Sequence, residues 1–238
     1  AEYSAVLADY YIKRENYESA IKNISKASVL TRNKKRRTRY TYILAQLYEK
    51  AGDSKNASIY YDRVISLHPA YEMTFNSKIK LAKLYDVKSG ESKEIKKILS
   101  KMLKDEKNKE YRDQIYYAMA EIELKENNTP KAIAYLKTSV EKSVSNNNQK
   151  ALSYLKLGEI YFSKPDYKNA GAYFDSTMLF LASDFPDYET IKERKNSLGE
   201  LIANLNIIQL EDSLLKLAAM SEEDRNKVIE KLIANVEV

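Results

Sequence analysis

The sequence has no cysteine. That excludes thiolate metal sites and leaves the redox compartment unread. There is one histidine, His68, one residue before Pro69. One imidazole gives no Ser-His-Asp arrangement any support, and a last-turn histidine reads as a partner of the helix C-terminal dipole. The five glycines are isolated, so no glycine-rich phosphate loop occurs. With only four prolines beside them, they leave little room for long linkers. No apolar run reaches the roughly 20 residues that span a bilayer. Carboxylates are scattered on charged faces, and no pair sits in an apolar setting that would tune one as an acid. Asp53, Asp166 and Asp187 belong to turns or helix starts. The expectation is a protein that is not an enzyme, with no catalytic residue, no metal ligand and no cofactor. Signal peptide and initiating methionine are both missing. The chain opens inside a helical pattern at Ala1-Glu2-Tyr3 and closes on Asn235-Val236-Glu237-Val238. A segment cut from a longer protein is expected, so the missing leader says nothing about location.

What is present is helical. The 238 residues carry 40 basic and 34 acidic side chains, a net +6, mostly interleaved. That describes a solvated surface more than a nucleic-acid binder. The stretch from Thr41 to Pro69 reads as two short amphipathic helices. Leu44, Ala45, Leu47 and Tyr48 recur at helical spacing, and so do Ala57, Tyr60, Tyr61, Val64 and Ile65. Ala51-Gly52-Asp53 breaks the pair, with Gly52 suited to the left-handed position. Ala45 and Ala57 let the two helices approach closely. A pair this short cannot bury its apolar face alone and is expected only as one member of a stack.

The pattern returns. The small position of the second helix falls at Ala20, Ala57, Ile95, Ala132 and Ala170, at intervals of 37, 38, 37 and 38 residues. The first-helix signature follows it, as Leu7-Ala8…Tyr11, Leu44-Ala45…Tyr48, Leu81-Ala82…Tyr85, Met119-Ala120…Glu123 and Leu157-Gly158…Tyr161. This resembles the tetratricopeptide repeat, and implies an all-α, TPR-like α-solenoid (superhelix). Five helix pairs are expected within 1–183, at about 3–31, 40–69, 72–104, 111–144 and 149–182. Unit three departs most, with Ile95 where Ala is expected and a longer turn at Val87–Ser92. In unit four, Thr129 reads as an N-cap with Pro130 at the first helical position. After Phe185-Pro186 the period stops. Residues 184–238 form a C-terminal helical cap or extension. A long helix is expected from about Tyr188 to Met220, then a short one opened by a capping box at Ser221-Glu222-Glu223-Asp224. In the long helix, Leu198, Leu201, Ile202, Leu205 and Ile208 make a stripe that can cover the end of unit five. Ile207, Leu210, Leu214 and Leu217 point elsewhere, toward the remainder of the protein, a second copy or a partner.

Binding residues follow from the solenoid. Stacked first helices line its concave face, whose rows give Tyr42, Ile79, Tyr117 and Leu155, then Gln46, Lys83, Glu121 and Glu159, then Glu49 and Phe162. The Lys and Asn rows that clamp a terminal carboxylate in chaperone-binding members of the family are absent. Tyr42, Tyr117, Leu155 and Phe162 suit an extended or helical peptide with apolar anchors. Against this, most of the 20 tyrosines fall on inter-helix packing positions. A basic cluster, Arg32, Lys34, Lys35, Arg36, Arg37 and Arg39, stands at the start of the third helix. There it opposes the helix dipole and suits an acidic surface, an anionic headgroup or a phosphate. A solvated loop between repeats is the plainer reading. Nucleic acid is not expected, for want of stacking aromatics and a second basic stripe.

Four stretches go beyond the generic repeat: 36–53, 111–128, 154–178 and 202–225. The most distinctive parts are Ala170-Gly171-Ala172-Tyr173-Phe174-Asp175-Ser176-Thr177 and Asp212-Ser213-Leu214…Ala218-Ala219-Met220-Ser221, which repeat packing does not require. They resemble the SprE/PorW-type tetratricopeptide lipoproteins of the Bacteroidota type IX secretion and gliding-motility apparatus. The resemblance implies a periplasmic scaffold anchored to the outer membrane through a lipidated N-terminus and partnered by other apparatus proteins. The lipid-bearing cysteine of that family has no counterpart here. A generic peptide-binding or co-chaperone-like adaptor is the alternative. Oligomeric state is not legible.

Overall fold

The computed structural model describes residues 1–85 and 92–236. The fold is all-α: among the described residues there is no strand. All but Ser92 of the long turn read at Val87–Ser92 lies outside the described residues. The chain divides into two compact units, Ala1–Gln149 and Lys150–Val238.

In the first unit the helices run α1 (Glu2–Lys13), α2 (Tyr17–Leu30), α3 (Lys34–Lys50), α4 (Ser54–Ser66), α5 (Tyr71–Leu84), α6 (Ser92–Lys104), α7 (Arg112–Lys125) and α8 (Thr129–Lys142). A 3-10 segment, Glu106–Tyr111, joins α6 to α7. Helices α1 to α5 pack each on the next, and α7 packs on α8, α6 and α5. This stepwise stacking is the solenoid arrangement. Small side chains set the spacing. Ala20, Ala57 and Ala132 have no exposed surface, and Ala8, Ala45, Ala82 and Ala120 on the first helices are buried as well. Between them aromatic rings fill the wider gaps, as where Tyr48 of α3 stacks on Tyr60 of α4 with centroids 5.2 Å apart.

The turn within a pair has its own chemistry. Glu15, Gly52 and Asn127 take positive φ values of 56°, 78° and 61°. The next residue is the N-cap of the second helix, and in the first two units its side chain accepts from that helix, whereas Asn128 makes no side-chain cap bond. Asn16 accepts from the Ser19 amide at 3.0 Å, and Asp53 from the Asn56 amide at 3.0 Å. Gly52 therefore adopts the left-handed conformation that its place in the sequence suggested. In unit four the N-cap is Asn128, and Thr129 is already the first helical residue. This corrects the N-cap reading of Thr129, and Pro130 follows one place later than expected. His68 also shifts. It lies beyond the end of α4 with φ of 49°, so it is not a last-turn residue.

The second unit contains most of α9 (Asn147–Ser163), then α10 (Tyr167–Phe180), α11 (Tyr188–Ala219) and α12 (Glu222–Val236). Ala170 and Phe174 of α10 are fully buried and share a core with Ala151, Ile191 and Leu198. Tyr173 stacks on Tyr161 at 5.3 Å, tying α10 to α9. Two glycines permit close approach. A Cβ on Gly158 would meet the Phe174 ring at 3.1 Å, and one on Gly171 would meet Ile202 Cδ1 at 2.6 Å. Gly171 thus has a packing role against α11, although nothing in the repeat itself asks for it. The stripe read on α11 covers this core only in part. Leu198 is buried and Ile202 packs against the core, while Leu201 and Ile208 remain exposed. Ser221 opens α12 as the capping box suggested, accepting from the Asp224 amide and donating to its carboxylate.

Candidate partner-binding surfaces

The concave-row residues of α3, α5 and α7 are linked by ion pairs. Glu49 of α3 accepts from the Tyr61 hydroxyl at 2.7 Å and from Lys80 of α5 at 2.8 Å. Lys83 of α5 lies 3.0 Å from Glu121 of α7, with its ammonium 4.6 Å from the centre of the Tyr117 ring. The two pairs form a ladder across three consecutive first helices. Burial and the neighbouring Glu49 push the Tyr61 phenol far up, and the same two causes raise Tyr42 less strongly. Tyr42 is half-buried, edge-on to Tyr61 at 5.8 Å, and Gln46 is exposed. Ile79 and Tyr117 are buried, so they hold the helices together more than they present a face. In the second unit, Leu155 packs against the Phe174 core. Glu159 pairs with Lys156 at 2.7 Å, and Phe162 is exposed, edge-on to Tyr167.

The basic cluster is built as its sequence position implied. Asn33 caps α3 by accepting from the Arg36 amide, and the first turn holds no acid. All six basic residues are exposed. Arg36 reaches Glu2 at 2.5 Å and Arg37 donates to the Thr31 carbonyl at 2.9 Å. Arg32, Lys34, Lys35 and Arg39 have no ion-pair partner among the described residues.

Two carboxylates lie in the interior, contrary to the reading that acids keep to charged faces. Glu123 of α7 is buried, with Lys96 of α6 and Lys131 of α8 each 2.9 Å from Oε1. Both ammonium groups therefore face the same oxygen of the Glu123 carboxylate. Its other oxygen accepts from Asn128 Nδ2 at 2.9 Å, and Lys96 also reaches Glu126 at 2.5 Å. Burial pushes the Glu123 carboxyl up, but the two lysines outweigh it and the net shift is downward. Glu123 stands where Tyr11, Tyr48, Tyr85 and Tyr161 stand in their own units. That substitution is the signal by which the sequence marks the site. Asp113, also on α7, is raised by burial against the hydrogen bonds from Gln114 and Ser143. No group of three or more metal-ligating side chains comes together among the described residues. No helix among them is long and apolar enough to cross a membrane.

Exposed apolar side chains recur along α11 and α12. Ile207, Ile208, Leu210, Leu214 and Leu215 are each more than half exposed, and Ile229 and Ile233 of α12 are exposed beyond them. Monomeric surfaces seldom leave so much apolar area uncovered without a docking role.

Tetratricopeptide repeat models match residues 38–71 and 117–177. No curated protein matches the chain. Among solved structures, the chain is similar to the TPR2AB-domain:pHSP90-complex of yeast Sti1, with 18% identity over 80% of this chain and 81% of that one, at a TM-score of 0.35. It is also similar to BtubC (BKLC) from P. vanneervenii, with 15% identity over 85% of this chain and 80% of that one, at a TM-score of 0.37.

Proposed function

We propose that this tetratricopeptide-repeat chain is a non-enzymatic protein–protein interaction scaffold of the type IX secretion and gliding-motility apparatus. In this reading it works in the periplasm, held at the outer membrane by the lipidated N-terminus of its parent protein. The observation that carries the scaffold reading is the uncovered apolar face of α11 and α12. The finer reading is supported by the four stretches that resemble the SprE/PorW-type lipoproteins. Part of the last of them, Asp212 to Ala219, falls on the exposed half of α11, where packing within the chain does not dictate sequence. The test is capture from a Bacteroidota cell envelope with the intact chain, beside a Leu210→Glu/Leu214→Glu variant. Recovery of apparatus proteins by the parent chain and their loss with the variant is the expected result. Recovery of cytosolic proteins alone sinks the secretion reading.

A second reading, a generic peptide-binding adaptor, is favoured by the half-open Tyr42 and exposed Gln46 beside the Glu49–Lys80 pair. It predicts that Tyr42→Ala weakens peptide binding, while the basic cluster and Glu159 and Phe162 matter less.

A further inference from the structure

The half of α11 beyond Ile202 carries a spacing of its own. Ala203, Ile207, Leu210, Leu214 and Leu217 are separated by four, three, four and three residues. That alternation is the heptad of a coiled-coil seam, with Ile207 and Leu214 at a and Leu210 and Leu217 at d. The seam is distinct from the stripe that packs on α10. At about 100° per residue it lies roughly 120° round the helix from Leu198 and Ile202. Ile207, Leu210 and Leu214 are more than half exposed, and Leu217 is partly buried.

The flanks decide what the seam fits. In a coiled coil, charges at e and g select the partner and its direction. Here those positions are Asn206, Glu211, Ser213 and Ala218, with a single charge among them. A foreign helix finds no charge code to read. A second copy finds no conflict when the two helices run parallel. Glu211 then faces Asn206 of the second copy, and Ala218 faces Ser213. An antiparallel pair that keeps the four large layers sets Glu211 beside its own copy, about 3 Å along the axis, where like charges repel. Ile at a with Leu at d, as at Ile207 and Leu210, also favours two parallel strands.

Other seats fit less well. An open groove of about 910 Å³ lies in the first unit, lined by Ile65 of α4, Phe75 of α5 and Ile98 of α6. Its lining also holds Lys55, Lys78, Lys101, Asp62 and Asp105, which the mostly neutral flanks of the seam do not answer. A membrane surface is disfavoured as well. Between Ala203 and Ala219 the one basic residue is Lys216, whereas helices that lie on membranes carry Lys and Arg along their polar face.

We propose that the free half of α11 forms a parallel two-helix coiled coil with the same stretch of a second copy. The proposal rests on the reading of this face as an interaction surface, and it names the occupant of one stripe. Ile208 and Leu215 fall on the b positions, outside the pair, and stay open to other proteins.

Two heptads make a short seam, so association is expected at about 10–100 µM. Sedimentation equilibrium of the whole 238-residue chain should show a mass rising from one chain toward two across that range. Leu210→Gln/Leu214→Gln is expected to weaken pairing about tenfold or more. Ile208→Gln/Leu215→Gln is expected to pair like the parent. All four side chains are more than half exposed, so both variants should keep the parent's circular dichroism. The chain has no cysteine, so one introduced thiol reports the register. Leu210→Cys is expected to give a disulfide-linked pair under mild oxidation, because parallel strands set position 210 opposite itself. Gln209→Cys, on the outer face, is expected to give none. A parent chain that stays single to about 200 µM overturns the proposal. So does equal loss of pairing in the two Gln variants, or pairing without the Leu210→Cys bridge. Pairing that Ile98→Glu dissolves also overturns it, and places α11 in the groove of a second copy. The two readings fail separately. A single chain that still captures envelope proteins removes the coiled coil and leaves the scaffold reading standing. A paired chain that captures none leaves the coiled coil and removes the secretion reading.

Discussion

Glu123 of α7 holds lysines from two other helices at once, Lys96 of α6 and Lys131 of α8, each 2.9 Å from the same carboxylate oxygen. Consecutive helix pairs are therefore joined by a buried charge at a position where the other units use tyrosine. Glu123→Gln keeps the shape and removes the charge. It is expected to lower unfolding stability by about 1–3 kcal/mol, less than for a wholly buried triad because the lysines reach water. Urea unfolding followed by circular dichroism checks this. The pH dependence has a definite sign. The carboxyls of Glu123 and Glu126 are held below the ordinary glutamate range, so their stabilisation is complete above that range and is lost as pH falls through their lower folded values. The difference between parent and variant should therefore shrink in acid.

Asp113 is expected to behave in the opposite sense. Burial raises its carboxyl, so the ionised form is disfavoured in the folded chain. Its contribution is fully favourable below the ordinary aspartate range and is lost as pH rises through the folded value. Asp113→Asn can still accept from the Gln114 amide and donate to the Ser143 hydroxyl. It should raise the neutral-pH Tm by a few degrees, a gain of about 1 kcal/mol, and give no gain in acid. A lower Tm at neutral pH would show that the charge is well compensated.

Gly158 faces the fully buried Phe174 ring at a distance that leaves little slack for a side chain. Gly158→Val is expected to cost about 1–3 kcal/mol through overpacking, outweighing the gain of replacing a helical glycine. Thermal unfolding of the second unit should show it, and loss of the near-ultraviolet signal of the Tyr161–Tyr173 stack should accompany it.

Removing the Tyr61 hydroxyl tests the ladder at α3. Tyr61→Phe loses the 2.7 Å bond to Glu49, while Glu49 keeps Lys80. A cost of about 1 kcal/mol is expected. Combining it with Lys80→Met should cost more than the sum of the single changes, because Glu49 is then left half-buried with neither partner. A double-mutant cycle measures the excess.

The parts of the fold that depend on spacing were readable, and those that depend on a single substituted side chain were not. Ala20, Ala57, Ala132 and Ala170 announce nested helix pairs because only a small side chain fits that approach, and all four are fully buried. Gly52 announces its turn for a conformational reason. Residue type alone does not separate Asn128 from Thr129, since Asn and Thr are both favoured N-caps; Asn16, Asp53 and Asp166 hold the position of Asn128 in their own units. Glu123 and Asp113 were hidden because polarity alone places a carboxylate at the surface, and only the lysines of neighbouring helices reveal otherwise. The charges of α6 read as mixed along the chain, yet in three dimensions Lys96 turns inward to Glu123 and Glu126 while Lys93, Lys97, Lys101 and Lys104 stay exposed. The concave rows were identifiable as positions, but their mutual pairing was not, because Glu49 and Lys80 meet across units.

The geometry of α11 has a mechanical consequence. Its 32 residues span about 48 Å, and the contact of the partly buried Ile202 with Gly171 lies before its midpoint. Some 25 Å of helix projects past that fulcrum as a lever. A tilt of about 5° at the glycine contact swings the far end by about 2 Å. A partner seated on Leu214 would thus register a small rearrangement around Phe174 as displacement, and a pull on the partner would be felt as torque at a glycine.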